Sequence, residues 1–221
     1  MLIAQESGIM YLVIYMQYLK IKQNVDALSN GKTELICVSK YHTIEEIEAV
    51  YGMGQREFGE NKVQDLLQKA EVLPKDIKWH LLGHLQTNKV RQIVGKVELI
   101  HSLDSLHLAE EIQKQSEKAG VITNCLVQVN STGIDDRFGV PYEKLNSFIE
   151  EVGKFPNICL KGIMGMAPKG ENPDPYFKAL KNAYDSSPLN GEILSMGMSE
   201  DYESAIENGS TMVRLGRIIF E

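Results

Sequence analysis

Eight short β-rich runs recur along this chain, each followed by a segment whose apolar residues fall at helical spacing, and that alternation constrains the fold more than any other feature. Strands that alternate with helices run parallel, because each helix carries the chain back across the sheet to start the next strand in the same direction. The runs cover residues 35–39, 56–59, 78–83, 97–103, 123–130, 159–166, 192–196 and 211–215. Eight such units close naturally into a barrel, with functional groups gathered at the C-terminal ends of the strands. A doubly wound open sheet is the competing arrangement. The expected fold class is therefore α/β, a single (β/α)8 TIM-type barrel with an extra N-terminal helix.

That leading helix is read from Ile14, Tyr18, Ile21, Val25 and Leu28, which share one face and stop at Ser29, Asn30 and Gly31. Residues 1–9 lack this pattern and are expected to be disordered or to lie upstream of the native start. Further along, Thr43 with Glu46 forms a capping box, Asp104 precedes a helix from Leu106, and Gly54 and Gly120 follow helix ends. The stretch 168–175, with three prolines, reads as a loop. No long linker or low-complexity tract divides the 221 residues, so one domain is expected over 1–221.

The net charge of -7 disfavours broad attraction to nucleic acid or to an anionic membrane. Residues 9–16 form an apolar run too short to span a bilayer. Cys37, Cys125 and Cys159 lie in apolar runs without metal or disulfide spacing, which points to the reducing cytoplasm. His80 and His84 stand four apart but lack a third ligand at useful spacing, so no metal is expected.

Lys40 ends the first run, where a barrel would present its amine at the functional mouth. Position alone favours a solvent lysine at a strand end, so Lys40 needs supporting residues. Ser195-Met196-Gly197-Met198-Ser199 then links a strand to a helix expected near Glu200, a turn whose amides and hydroxyls can cradle phosphate if Glu200 and Asp201 point away. Val213-Arg214-Leu215-Gly216-Arg217 closes the eighth run and offers further amides, as barrel phosphate sites after strands seven and eight do.

Val38-Ser39-Lys40, Phe58-Gly59-Glu60-Asn61, Trp79-His80, Gly83-His84-Leu85-Gln86-Thr87-Asn88-Lys89, the Ser195 to Glu200 turn and Val213 to Gly216 occur in order between Leu35 and Arg217. Together they resemble the pyridoxal phosphate homeostasis protein family. The resemblance implies a barrel like the N-terminal domain of alanine racemase, with pyridoxal 5'-phosphate held as a Schiff base on Lys40. It places Asn61 near the ring, Ser195, Met198, Ser199, Gly216 and Arg217 around the phosphate, and Arg214 opposite the pyridine nitrogen, where a fixed guanidinium weakens the ring as an electron sink. Arg137 stands where that family often has a lysine.

The resemblance further implies a cytoplasmic carrier that buffers the cofactor or hands it to pyridoxal phosphate-dependent apoenzymes. No catalytic residue is assigned, and neither nucleic acid nor membrane is expected as a partner. An acidic chain of this kind is compatible with a monomer. An amino-acid racemase is the alternative, and it needs a second acid-base group opposite Lys40, which no motif around Tyr41, Tyr51 or Tyr202 supplies. A barrel that binds another phosphorylated metabolite, with Lys40 as counter-ion, is the third reading.

Overall fold

The computed structural model describes residues 2–133, 138–189 and 191–221, with side chains from residue 10 onward. All eight expected strands form: β1 Glu34–Val38, β2 Glu57–Glu60, β3 Lys78–Leu81, β4 Leu99–Leu103, β5 Thr123–Gln128, β6 Ile158–Met164, β7 Ile193–Ser195 and β8 Met212–Leu215. Each pairs in parallel with its neighbour in sequence, and β8 returns to β1 with Ile36 opposite Arg214, closing the barrel. The open-sheet alternative is thereby excluded.

Helices α1 Leu2–Ser29, α2 Ile44–Gly52, α3 Val63–Val72, α4 Val90–Ile93, α5 Leu106–Ala119, α6 Leu145–Val152, α7 Asp174–Ser186, α8 Tyr202–Glu207 and α9 Arg217–Phe220 are the described α-helices. Ile14, Tyr18 and Val25 bury the inner face of α1, while Leu28 at its end is exposed. None of the described helices is long and apolar enough to cross a membrane.

The capping box at Thr43 and Glu46 is present in both directions, and Gly120 ends α5 in the left-handed region at φ 66°. The cap of α5 is Ser105, whose hydroxyl accepts from the Leu108 amide, while Asp104 turns to His84 at 3.0 Å. α7 begins at Asp174, inside the stretch expected to be loop, with proline in its first turn where no amide is needed.

Side chains alternate between the barrel interior and the helical shell, as strand geometry requires. Ile36, Leu99, Leu126, Met164 and Met212 pack as one interior cluster, separate from the larger one between strands and helices. On β1 the inward residues are Ile36 and Val38, and the same parity carries Lys40 to the mouth. On β8 it turns Met212 and Arg214 inward.

Candidate functional site

A cavity of about 230 Å³ opens at the C-terminal end of the barrel. Lys40, Met198, Ser199, Arg214, Gly216 and Arg217 all line it, with Val38, Leu82 and Ala167 supplying apolar wall. Residues from β1, β8 and the turn after β7 thus meet in one place, as the sequence led us to expect.

Lys40 sits in a tightly anchored turn. The His42 amide donates to the Ser39 carbonyl at 3.0 Å, and the His42 ring stacks on Phe220 at 4.2 Å. Between them Tyr41 adopts φ 71°, a left-handed conformation that costs a non-glycine residue on the order of 1 kcal/mol. Lys40 makes no hydrogen bond or ion pair with any described residue, and its Nζ lies 5.9 Å from the Tyr41 ring centroid. An unpaired lysine side chain at a barrel mouth is placed to attack a carbonyl.

Directly behind this turn is a buried ion pair. Glu60 is fully buried, and its Oε1 accepts from Lys69 Nζ at 2.6 Å and from the Ser39 hydroxyl at 2.7 Å. Lys69 also donates to the Ser39 carbonyl at 2.7 Å, which joins α3 to the ends of β1 and β2.

The turn after β7 differs from expectation. The helix starts at Tyr202, because Asp201 Oδ1 accepts from the Met198 amide at 2.6 Å and the Tyr202 amide donates to the Met198 carbonyl, which closes a turn over residues 198–201. Ser199 is therefore not a helix cap. Gly197 has φ 96°, and a Cβ there would stand 2.6 Å from that of Ala205. At Gly216 a Cβ would come within 2.9 Å of the Val38 carbonyl oxygen. Both positions admit only glycine without movement of their neighbours.

Nor do Glu200 and Asp201 point away; both line the cavity. Glu200 Oε1 accepts from Arg217 Nη2 at 2.5 Å, a hydrogen bond that holds the carboxyl below its ordinary range. Burial raises the pKa of Asp201, against the pull of the Met198 amide and Arg214. An incoming phosphate group must therefore compete with Glu200 for Arg217. Glu200→Gln is expected to tighten binding of inorganic phosphate by roughly two- to fivefold, the scale of an exposed ion pair, as read by calorimetric titration.

Two expected site residues stand elsewhere. Asn61 is half-buried at the end of β2 and does not line the cavity; its carbonyl oxygen lies 2.2 Å from where a Cβ on Gly83 would be. Ser195 is fully buried beneath Arg214, and its hydroxyl is committed within the barrel instead of facing a phosphate. Arg214 Nη1 donates to Ser195 Oγ at 2.5 Å and Nη2 to the Gly165 carbonyl at 3.1 Å. Burial lowers the guanidinium to about 10, which leaves it charged at neutral pH. Arg137 lies outside the described residues.

Sequence reasoning missed what supports Ser195. His101 Nδ1 is 3.3 Å from its hydroxyl, His80 Nδ1 is 3.0 Å from His101 Nε2, and Glu57 Oε2 is 2.7 Å from His80 Nε2. His80 is thus a hydrogen-bonded interior residue, and no cluster able to hold a metal occurs among the described residues. His84 instead pairs with Asp104 and stacks on Phe138 at 3.8 Å. Tyr51 and Tyr202 turn their hydroxyls to Asp76 and to Asn24 and Glu203, away from the cavity.

His101 carries a consequence for stability. Burial, with His80 and Arg214 adding to it, holds its pKa well below the usual value. Below about pH 6.5 the unfolded chain gains a proton there that the folded protein refuses, so stability falls with acidity by up to about 1.4 kcal/mol per pH unit. His101→Gln is expected to flatten that part of a urea-stability profile.

The family model described as "Alanine racemase, N-terminal domain" matches residues 18–221. A relative from Aquifex aeolicus named "Pyridoxal phosphate homeostasis protein" is 42% identical over 195 residues, covering 85% of this chain and 86% of its own. The chain belongs to the pyridoxal phosphate homeostasis protein family. Among solved structures, PipY of Synechococcus elongatus with PLP bound superposes with a TM-score of 0.81 at 30% identity, over 94% of this chain and all of its own. Alanine racemase of Clostridium difficile shares the fold with a TM-score of 0.74 at 14% identity, over 94% of this chain and 56% of its own.

Proposed function

We propose that this protein holds pyridoxal 5'-phosphate covalently on Lys40 and serves as a cytoplasmic carrier, buffering the cofactor or delivering it to apoenzymes, without catalysing a reaction of its own. The observation that carries this reading is the unpaired Lys40 amine in one cavity with Arg214, Arg217 and the close-approaching Gly216 backbone. A relative at 30% identity has been solved with PLP bound, which supports the same ligand here.

The residues fit the group. Lys40 would supply the amine that holds the group through its aldehyde. Arg217, Ser199 and the amide of Gly216 are donors on the cavity wall for a phosphate. When bound, pyridoxal phosphate supplies an electrophilic carbonyl and, if its ring nitrogen is protonated, an electron sink. Arg214 presents a cation from the cavity floor, which disfavours protonation of a ring nitrogen placed beside it.

The carrier reading is favoured over a racemase because the described lining residues include no tyrosine or histidine to act opposite Lys40. The test is to load the purified protein, reduce with borohydride and map the adduct by peptide mass spectrometry. A phosphopyridoxyl group confined to Lys40, with no stereospecific turnover of amino acids, is the expected result. Equal labelling of surface lysines would return the site to the phosphometabolite reading, and turnover abolished by changing Lys40 would establish the racemase. Sedimentation of the loaded protein is expected to give a monomer.

A further inference from the structure

From Arg214 to the opposite end of the barrel runs a line of polar side chains, through an interior otherwise filled by Ile36, Leu99, Leu126, Met164 and Met212. In order they are Arg214, Ser195, His101, His80 and Glu57, joined at 2.5, 3.3, 3.0 and 2.7 Å. The lower end meets a second cavity, of about 160 Å³, at the N-terminal ends of the strands. The charged groups that face Glu57 and His80 there are Glu34, Lys78, Glu98, Lys161 and Glu192, with Lys78 Nζ donating to Glu57 Oε1 at 2.7 Å.

Counting hydrogens along this line determines its direction. Arg214 can only donate, and an ionised Glu57 can only accept. Burial pushes the Glu57 carboxyl up, but hydrogen bonds from His80 and Lys78 outweigh it and the net shift is downward, towards the ionised form. Glu57 therefore takes the hydrogen on His80 Nε2. A neutral His80 then has a lone pair on Nδ1 and must accept from His101 Nε2. His101 is in turn left with a lone pair on Nδ1 for the Ser195 hydroxyl, and Ser195 offers its own lone pair to Arg214. Every junction is satisfied once, and both imidazoles are the Nε2–H tautomer.

We propose that Glu57, His80, His101 and Ser195 form an oriented proton relay along the barrel axis, which holds Ser195 as an acceptor for Arg214 and couples the charge on His80 at the lower end to the cofactor pocket. The two histidines are positioning residues for Arg214. One proton taken up by the line, its charge coming to rest on His80 beside Glu57, reverses it. His80 as imidazolium donates from Nδ1 as well, and His101 must accept at Nε2 and carry its hydrogen on Nδ1. Ser195 then accepts from both His101 and Arg214, so its own hydrogen turns away from His101. The hydrogens balance as a shift along the line: His101 gives its Nε2 hydrogen to His80 Nδ1, Ser195 gives its own to His101 Nδ1, and Ser195 takes up the added proton, so one proton enters and the charge rests on His80. Ser195 and Arg214 thus experience a different field although nothing in their own pocket has titrated.

The order of hydrogens along this line does not depend on the cofactor, whereas its meaning for the pocket rests on the proposed cofactor. Nitrogen-15 spectra of the ligand-free, histidine-labelled protein test the former. At neutral pH both His80 and His101 are expected as Nε2–H, by at least about tenfold over the other tautomer, the ratio that a charge-assisted hydrogen bond enforces. On acidification His101 is expected to convert to Nδ1–H at the same midpoint at which His80 gains its proton. Glu57→Gln is expected to leave a mixture of tautomers at neutral pH. An Nδ1–H His101 at neutral pH, a His101 that ignores the protonation of His80, or unchanged tautomers in Glu57→Gln would each overturn the relay. Should that variant not fold, the wild-type titration decides alone. In protein loaded with pyridoxal phosphate, the visible band is expected to shift at the His80 midpoint, and not to do so in Ser195→Ala. A wild-type band indifferent to that midpoint overturns the coupling. Failure to load at all counts against the cofactor reading, and the nitrogen-15 spectra still decide the relay.

Discussion

Lys40→Ala is expected to abolish borohydride-stable labelling by pyridoxal phosphate and the accompanying visible band, with thermal stability unchanged within about 0.5 kcal/mol. The loss is complete because among the described lining residues the only other primary amine is that of Lys169, whose ammonium is 4.0 Å from Glu200 Oε1. Fold stability is spared because Lys40 is exposed and bonded to no described residue. Lys40→Arg separates two roles that the alanine variant removes together. Arginine keeps the charge but is not a usable amine nucleophile, so reversible phosphate binding is expected to survive while labelling does not. If instead Lys40→Arg kept the full spectral signature of the loaded protein, Lys40 would be a counter-ion and the covalent reading would fail. Absorbance, borohydride reduction and peptide mapping on the two variants give the answer.

The largest effect on the fold is expected at Lys69. Its ammonium is the cationic partner of the fully buried Glu60, whose Oε2 has no hydrogen-bond partner among the described residues. Lys69→Met leaves a carboxylate out of water with only the Ser39 hydroxyl to receive it, a change that costs about 3–5 kcal/mol. In a chain of this size that is a fall in melting temperature of roughly 6–20 °C. Lys69→Met with Glu60→Gln is expected to recover most of the loss, since no charge is then left buried. If the single and double variants melt together, the pair contributes packing and not charge compensation. The same melts bear on the site, because Lys69 and Ser39 tie down the turn that carries Lys40; labelling of Lys40 in Lys69→Met is expected to slow even well below its melting temperature.

Much of this molecule is determined locally, and those parts were legible in the chain itself. The alternation of β-rich and helical segments depends on side-chain period, which spans a few residues at a time, so all eight strands could be placed within a few residues. The capping box at Thr43 and the stop at Gly120 are likewise contacts within one turn of chain. Closure of eight parallel units then brings Lys40, the turn at Met198 and Ser199, and Gly216 with Arg217 to one mouth. What the chain by itself could not determine depends on which groups from distant strands become neighbours. Ser195 carries the same short motif whether its hydroxyl faces a phosphate or Arg214, and only the barrel interior brings it to Arg214 and His101, 94 positions away. His101 bears no signal of its own in sequence, since a histidine inside a strand reads as any half-buried residue until the opposite wall supplies His80. Glu200 and Asp201 line the cavity because a side chain to backbone hydrogen bond within the turn postponed the helix, an outcome of competing local bonds that propensity does not rank. Asn61 stands off the cavity wall with its carbonyl packed against Gly83, a contact between the ends of two strands that no local pattern announces. Periodicity and turn chemistry therefore determined the barrel and its mouth, and tertiary packing decided which polar groups face the ligand and which are bonded to one another beneath it.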